Sequence, residues 1–194
     1  AAFFLILKSI LDAADGELAR IKETPSYTGR FLDSVSDIIL NFIIFITIWV
    51  LTDTSLLLTF LAFFGIQLQG TLYNYYYVIL RNRFDGDTTS RVFEDKTPIA
   101  LPGEKQKNVN ILFFLYKAFY GVFDKIIYAL DKNASKGKTL PNWLMSLIST
   151  FGLGFQLLLI SILLVLNLKE IIIPFFIGYS GLIFVFIAIR KTFY

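Results

Sequence analysis

Two short stretches of the chain gather the residues best suited to chemistry on a phosphate: Asp12-Ala13-Ala14-Asp15-Gly16-Glu17-Leu18-Ala19-Arg20, and then Gly29, Asp33 and Asp37. On a helix, Asp12, Asp15, Gly16 and Ala19 are spaced i, i+3, i+4 and i+7 and share one face. Gly29, Asp33 and Asp37 are spaced i, i+4 and i+8 and share a face of the next helix. The intervening loop, 23–28, is short enough to make the two helices antiparallel neighbours. Four carboxylates, Asp12, Asp15, Asp33 and Asp37, can therefore converge at one end of a helix pair. They cannot all stay ionised at close quarters without a countercharge. Hard divalent cations supply one, and carboxylate-only ligation favours Mg²⁺ or Mn²⁺, which keep waters and accept phosphate oxygens as further ligands. Two such ions suit displacement at phosphorus, where they clamp the attacking and leaving oxygens. Gly16 and Ala19 carry no bulk, so a ligand can come close to the helix backbone. Arg20, one turn beyond Gly16, is placed to pair with a phosphate.

The composition narrows the chemistry further. The chain has no Cys and no His, which excludes thiol nucleophiles, disulfide frameworks, thiolate zinc sites and histidine-based triads. Of the 194 residues, 56% are hydrophobic and 17% charged, and the mean hydropathy is +0.65. That balance is too apolar for the core of one soluble domain and reads as an integral membrane protein. The net charge of +3 belongs to membrane topology, and no nucleic-acid partner is expected.

The elements that must hold the carboxylates follow from the apolar pattern. Five segments, 1–22, 29–52, 54–80, 143–168 and 171–189, are long and apolar enough to cross a bilayer. A sixth, 111–130, carries Lys117, Gly121, Asp124 and Lys125, with Asp131 beyond it, as a polar stripe on one face. It reads as a cytoplasmic amphipathic helix within a polar connection, 81–141. On this arrangement Arg20, Lys22, Arg30, the eleven Lys and Arg between Arg81 and Lys138, and Arg190 and Lys191 share one side, and only Lys169 faces the other. The basic side is the cytoplasmic one, and it carries the carboxylates. The expected fold is an all-α integral membrane protein: a single catalytic domain, 1–194, with five transmembrane helices in this chain.

An isolated Asp near a helix end is ordinarily a solvated charge. The eight specified positions here, each at a background frequency of roughly 5 to 8%, coincide by chance on the order of once in 10⁹ to 10¹⁰ windows. The pattern Asp-x2-Asp-Gly-x2-Ala-Arg-x8-Gly-x3-Asp-x3-Asp resembles the signature of the CDP-alcohol phosphotransferases, and Asp12, Asp15, Gly16, Ala19, Arg20, Gly29, Asp33 and Asp37 fill it without a departure. The resemblance implies transfer of a phospho-alcohol or phosphatidyl group from a CDP-linked donor to an acceptor hydroxyl in phospholipid biosynthesis, with release of CMP. It implies a six-helix bundle, often a homodimer, so that one further helix would precede Ala1. It also implies that Asp12, Asp15 and Asp33 are metal ligands, and that Asp37 is the general base and also touches a second metal. Gly16, Ala19 and Gly29 would let the cytidine diphosphate lie against the helices, and Arg20 would hold its phosphates. The acceptor, lipid or small polar alcohol, is not readable from the motif, and the connection 81–141 is longer than the family pattern leads one to expect.

Several other residues have two readings. Asn41 continues the Asp37 face by one turn, and Gln67, Gly70 and Asn74 make a polar face on the following span. They either line an acceptor pocket or bond helix to helix. Lys8, one turn before Asp12, is either a substrate ligand or a counter-ion for Asp12. Arg81, Arg83 and Arg91 read as positive-inside anchors, or as a site for an acceptor phosphate or anionic lipid. Tyr73, Tyr75, Tyr76 and Tyr77 read as an interfacial aromatic belt. Two other functions compete. A cation transporter or channel would need carboxylates near mid-membrane on several spans, yet 143–189 holds only Lys169 and Glu170 as charges. A Mg²⁺-dependent membrane prenyltransferase would not require the Gly, Ala and Arg spacing.

Overall fold

The structure, a computed structural model, describes residues 1–22, 24–84 and 94–194, save the side chain of Arg20. Among these residues there are eight α-helices and no strand. They are α1 (Ala2–Ile21), α2 (Tyr27–Val50), α3 (Leu56–Arg83), α4 (Gln106–Leu130), α5 (Asn142–Ile148), α6 (Leu153–Val165), α7 (Lys169–Ser180) and α8 (Leu182–Phe193). The protein is therefore all-α, as its apolar periodicity requires. Three stretches, Tyr27–Val50, Leu56–Arg83 and Lys169–Phe193, are long and apolar enough to cross a membrane. The pair Asn142–Phe151 and Leu153–Val165 adds a fourth if taken as one bent span.

Two of the expected spans differ in detail from the apolar pattern. Residues 1–22 do form a helix, but Lys8, Asp12, Asp15 and Glu17 interrupt its apolar run, and α1 is not among the span candidates. Its apolar first half lies against α6, where the Ser161 hydroxyl reaches the Ala2 carbonyl at 3.3 Å. The expected continuous helix 143–168 is broken by 55°. At the break the Ser149 and Thr150 hydroxyls turn back to the carbonyls of Ser146 and Leu147, at 2.8 and 2.7 Å, and Gly152 is extended. Hydroxyls competing for backbone acceptors next to a glycine are a sufficient cause for a bend. A Cβ on Gly152 would stand 3.1 Å from the Ser149 carbonyl oxygen, a tight fit at the bend.

The bundle's centre is α3, which packs against α2, α4 and α7. Along α2 the buried residues Tyr27, Phe31, Val35, Ile38, Asn41, Phe45 and Ile48 recur every three or four positions, the stripe that a helix facing one neighbour must have. Asn41 is the polar member of that stripe. The cluster of Phe45, Ile48, Ala62, Ile66, Ile160, Ile172, Ile173 and Phe176 joins α2, α3, α6 and α7. Gly65 lets Ser180 come close: a Cβ there would lie 2.2 Å from the Ser180 hydroxyl.

Helix α4 starts five residues before the expected amphipathic segment 111–130, and one member of its polar stripe is misplaced. Asp131 is fully buried. Its Oδ2 accepts from Arg190 Nε and from the Tyr76 hydroxyl, each at 2.7 Å, and its carbonyl accepts from the Tyr75 hydroxyl at 3.0 Å. Arg190 Nη2 pairs with Oδ1. Tyr75 and Tyr76 thus belong to the core rather than to an aromatic belt, and Arg190 is a buried partner rather than a free anchor. Arg83 also works inside the fold, donating to the carbonyls of Ser135 and Gly137 at 2.9 and 2.6 Å. Arg91 lies outside the described residues.

Removing one member of a buried pair leaves the other charge uncompensated. Asp131→Ala is therefore expected to cost about 3–5 kcal/mol, read as a large fall in the melting temperature in detergent. The double variant Asp131→Leu/Arg190→Met should recover much of that loss.

Candidate functional site

The site begins with the start of α2. Ser26 is the N-cap, extended at φ −142° and ψ 122°, and its hydroxyl accepts the Gly29 N–H at 2.8 Å. A Cβ on Gly29 would press on that hydroxyl at 3.2 Å, so glycine suits a tight cap as well as an open face. A second group joins the cap from far along the chain. Glu104, just before α4, accepts from the Thr28 N–H at 2.6 Å and the Ser26 hydroxyl at 2.8 Å with one oxygen, and from the Leu101 N–H at 3.0 Å with the other. A carboxylate at a helix N-terminus also meets the positive end of the helix dipole. Burial alone would raise its pKa, but the hydrogen bonds from Thr28, Leu101 and Ser26 hold it down at about 2.

With α2 anchored in this way, Asp33 and Asp37 face α1. One carboxylate oxygen from each of Asp12, Asp33 and Asp37 lies within 4.8 Å of the others. The close approach is mediated by Lys8, whose ammonium donates to Asp37 Oδ1 at 2.5 Å and also pairs with Asp12. Lys8 is therefore the counter-ion of the site, for Asp37 as well as for Asp12. Helix α1 rests mainly on α6 and reaches α2 at the site through this bridge. The expected antiparallel neighbours thus meet through side chains, and the space between them is where a cation fits. Three hard anionic oxygens at this separation suit a hard divalent cation, given small side-chain rotations.

Of the residues expected at the site, Asp12, Asp33 and Asp37 are brought together. Asp15, one turn along α1, is exposed and outside the group of three, though its charge acts on Asp33. Gly16, Ala19 and Gly29 are exposed, and the side chain of Arg20 is outside the described residues.

A cavity of about 350 Å³ opens beside the cluster, with Asp33 and Asp37 in its wall. The polar positions Asn41, Gln67, Gly70 and Asn74 all line it. So do Arg30, Glu94, Tyr116, Tyr120, Asp124 and Gln156, none of which its local pattern assigns to a site. Arg30 pairs with Glu94 at 2.6 Å and lies 4.5 Å from the centre of the Phe31 ring. The Tyr116 hydroxyl donates to Asp124 at 3.2 Å. Only the placement of α4 across α2 and α3 brings Tyr116, Tyr120 and Asp124 here. Gly16, Ala19 and Gly29 are not in this wall. Asp33 and Asp37 consequently stand between two regions, the exposed small-residue face and the cavity.

The CDP-alcohol phosphatidyltransferase family model matches residues 1–127, which include α1, α2, α3 and most of α4. Comparison with curated proteins and with solved structures finds no match.

Two measurements test this geometry. Lys8→Met leaves Asp12 and Asp37 to repel each other, so the variant should melt below the wild type in EDTA, and Mn²⁺ should raise its melting temperature more than that of the wild type. The low Glu104 pKa contributes stability that is fully present above about pH 4.5, the ordinary glutamate value, and is lost as pH falls toward about 2. The stability gap between wild type and Glu104→Gln should accordingly be widest near neutrality and shrink below pH 4.5.

Proposed function

The chain belongs to the CDP-alcohol phosphatidyltransferase family, a transferase family of the membrane, and from that premise we propose that it transfers a phospho-alcohol or phosphatidyl group from a CDP-linked donor to an acceptor hydroxyl, releasing CMP, in phospholipid biosynthesis. The observation that carries this reading is the position of Asp37, shared between the acidic cluster and the cavity. A base that takes the acceptor's proton must reach the acceptor hydroxyl where that oxygen faces the donor phosphorus.

In the proposed reaction the donor's cytidine diphosphate lies along Gly16, Ala19 and Gly29, where no side chain holds it off the helices, and Arg20 pairs with its phosphates. The acceptor enters from the cavity. Asp37 takes the hydroxyl proton, the acceptor oxygen bonds to the phosphorus that carries the donor's alcohol, and the bond from that phosphorus to CMP breaks. Asp12, Asp15, Asp33 and Asp37 would hold one or two Mg²⁺ or Mn²⁺ ions, whose chemistry is to neutralise the diphosphate and the departing CMP. Lys8, between Asp12 and Asp37, marks where positive charge is most favourable. The density of Lys and Arg at the carboxylate end supports an active site facing the cytoplasm, and a homodimer is part of the same proposal. The cation-transporter reading has no support: the cluster draws on α1 and α2 alone, and 143–189 holds only one carboxylate, Glu170.

The test is CMP release by the full chain in detergent or liposomes with Mg²⁺ or Mn²⁺, across CDP-linked donors and alcohol acceptors. Asp37→Asn should lower turnover by about 10²- to 10⁴-fold and weaken metal-dependent CDP binding less than Asp33→Asn does, as removal of a general base that is also a second-metal ligand does. Asp33→Asn should abolish both turnover and metal-dependent CDP binding without unfolding the protein. Normal turnover in either variant would refute its assigned role.

A further inference from the structure

The buried pair of Asp131 with Arg190 draws the end of α4 onto the end of α8, and with them the two lysines next in the chain, Lys132 and Lys191. Both lysines line one open recess of about 460 Å³, together with Asp131, Asn133 and Arg190. The recess shares no residue with the cavity beside Asp37. Asp131 is fully buried, and its carboxylate is engaged by Arg190 and the Tyr76 hydroxyl. Lys132 and Lys191 are exposed and form no ion pair among the described residues. The chain around them adds only more positive charge. Residues 131–141 and 189–194 hold five basic side chains, Lys132, Lys136, Lys138, Arg190 and Lys191, and one acidic side chain, Asp131. The Lys138 N–H donates to the Tyr194 backbone oxygen at 2.7 Å, which keeps the basic connection against α8. An anion in the recess would meet two ammonium groups and the Asn133 amide, all of them donors.

The place of the recess decides which anion fits. Helix α8 completes the Lys169–Phe193 stretch and α3 ends at Arg83, and both stretches are long and apolar enough to cross a membrane. Arg83 donates to the Ser135 and Gly137 carbonyls, so the two ends lie on the same side. The recess therefore sits where spans leave the bilayer, at the level of lipid headgroups. Phe193 and Trp143, 64% and 51% exposed, are aromatic residues of the kind that settle at this boundary. Three and seven residues before Lys191, on the same face of α8, Ala188 and Phe184 are exposed. A dissolved anion has no use for that apolar strip, whereas an acyl chain below a bound phosphate would cover it. We propose that the recess at the joined ends of α4 and α8 binds the headgroup phosphate of an anionic phospholipid, with Lys132, Lys191 and Asn133 as donors and an acyl chain along Ala188 and Phe184. A zwitterionic choline headgroup fits less well, because its own cation would face the lysines.

The experiment measures retention of phosphatidylglycerol against phosphatidylcholine by the full chain in detergent, by native mass spectrometry, with inorganic phosphate and glycerol 3-phosphate as competitors. The wild type should keep phosphatidylglycerol in preference. Lys132→Gln/Lys191→Gln should weaken that binding about thirtyfold, about fivefold for each lysine, and should melt with the wild type in phosphatidylcholine because both side chains are exposed. Lys105→Gln/Lys107→Gln removes the same net charge from exposed positions at the other end of α4 and should bind as the wild type does. No preference in the wild type, or an equal loss in both double variants, overturns the site and leaves only the general attraction of a basic face. Displacement of the lipid by either soluble phosphate at comparable concentration overturns the lipid assignment. None of these outcomes depends on CMP release, so the transferase reading stands or falls separately.

Discussion

Ionised carboxylates on separate helices come within a few ångströms of one another only if positive charge stands between them, and this requirement governs how the first two helices meet. Here the charge is the Lys8 ammonium, which pairs with Asp12 on its own helix and Asp37 on the next. Helix α1 is otherwise supported from α6, so its charged half is free to lie across from α2 without close backbone packing. An acidic face and an intimate helix interface are incompatible, and supporting α1 from behind resolves the conflict. One carboxylate oxygen from each of Asp12, Asp33 and Asp37 lies within 4.8 Å of the others there, a donor set that could hold a hard cation.

The rest of the fold holds α2 and the cavity in register with that gap. The N-terminus of α2 is capped twice, by Ser26 nearby and by Glu104 from across the sequence. The second cap ties the start of α4 to the start of α2, while the Asp131 pair with Arg190 ties the end of α4 to α8. Fastened at both ends, α4 lays Tyr116, Tyr120 and Asp124 over the cavity side of the carboxylates. A helix that reads as a surface element on the basis of its polar stripe is thereby part of the cavity wall.

The main elements were legible in the sequence because they rest on local rules. Helix periodicity and apolar length located α2, α3 and the Lys169–Phe193 stretch within a few residues, and fixed i, i+4 spacing put Asp33 and Asp37 on one face. Where local pattern misled, tertiary partners were the cause. Asp131 continues a polar stripe, yet Arg190, far along the chain, takes it into the core. Tyr75 and Tyr76 have belt composition, but their hydroxyls find Asp131. The bend near Gly152 depends on hydroxyl-to-carbonyl bonds that hydropathy does not register.

By itself the sequence determined the chemistry available: an all-α membrane chain without Cys or His, whose Asp, Gly, Ala and Arg residues are spaced for a phosphate and a divalent cation. Those properties follow from side-chain type and helical repeat, which need no knowledge of distant residues. Tertiary structure alone decided which carboxylates meet, and it selected Asp12, Asp33 and Asp37 with Lys8 among them while leaving Asp15 outside. It also decided that Glu104 caps α2 and that Asn41, Gln67 and Thr71 line a common cavity, with Asn41 Oδ1, Gln67 Nε2 and Thr71 Oγ1 lacking hydrogen-bond partners among the described residues. Contacts between residues far apart in the chain depend on how helices cross, and crossing is settled by the packing of the whole bundle.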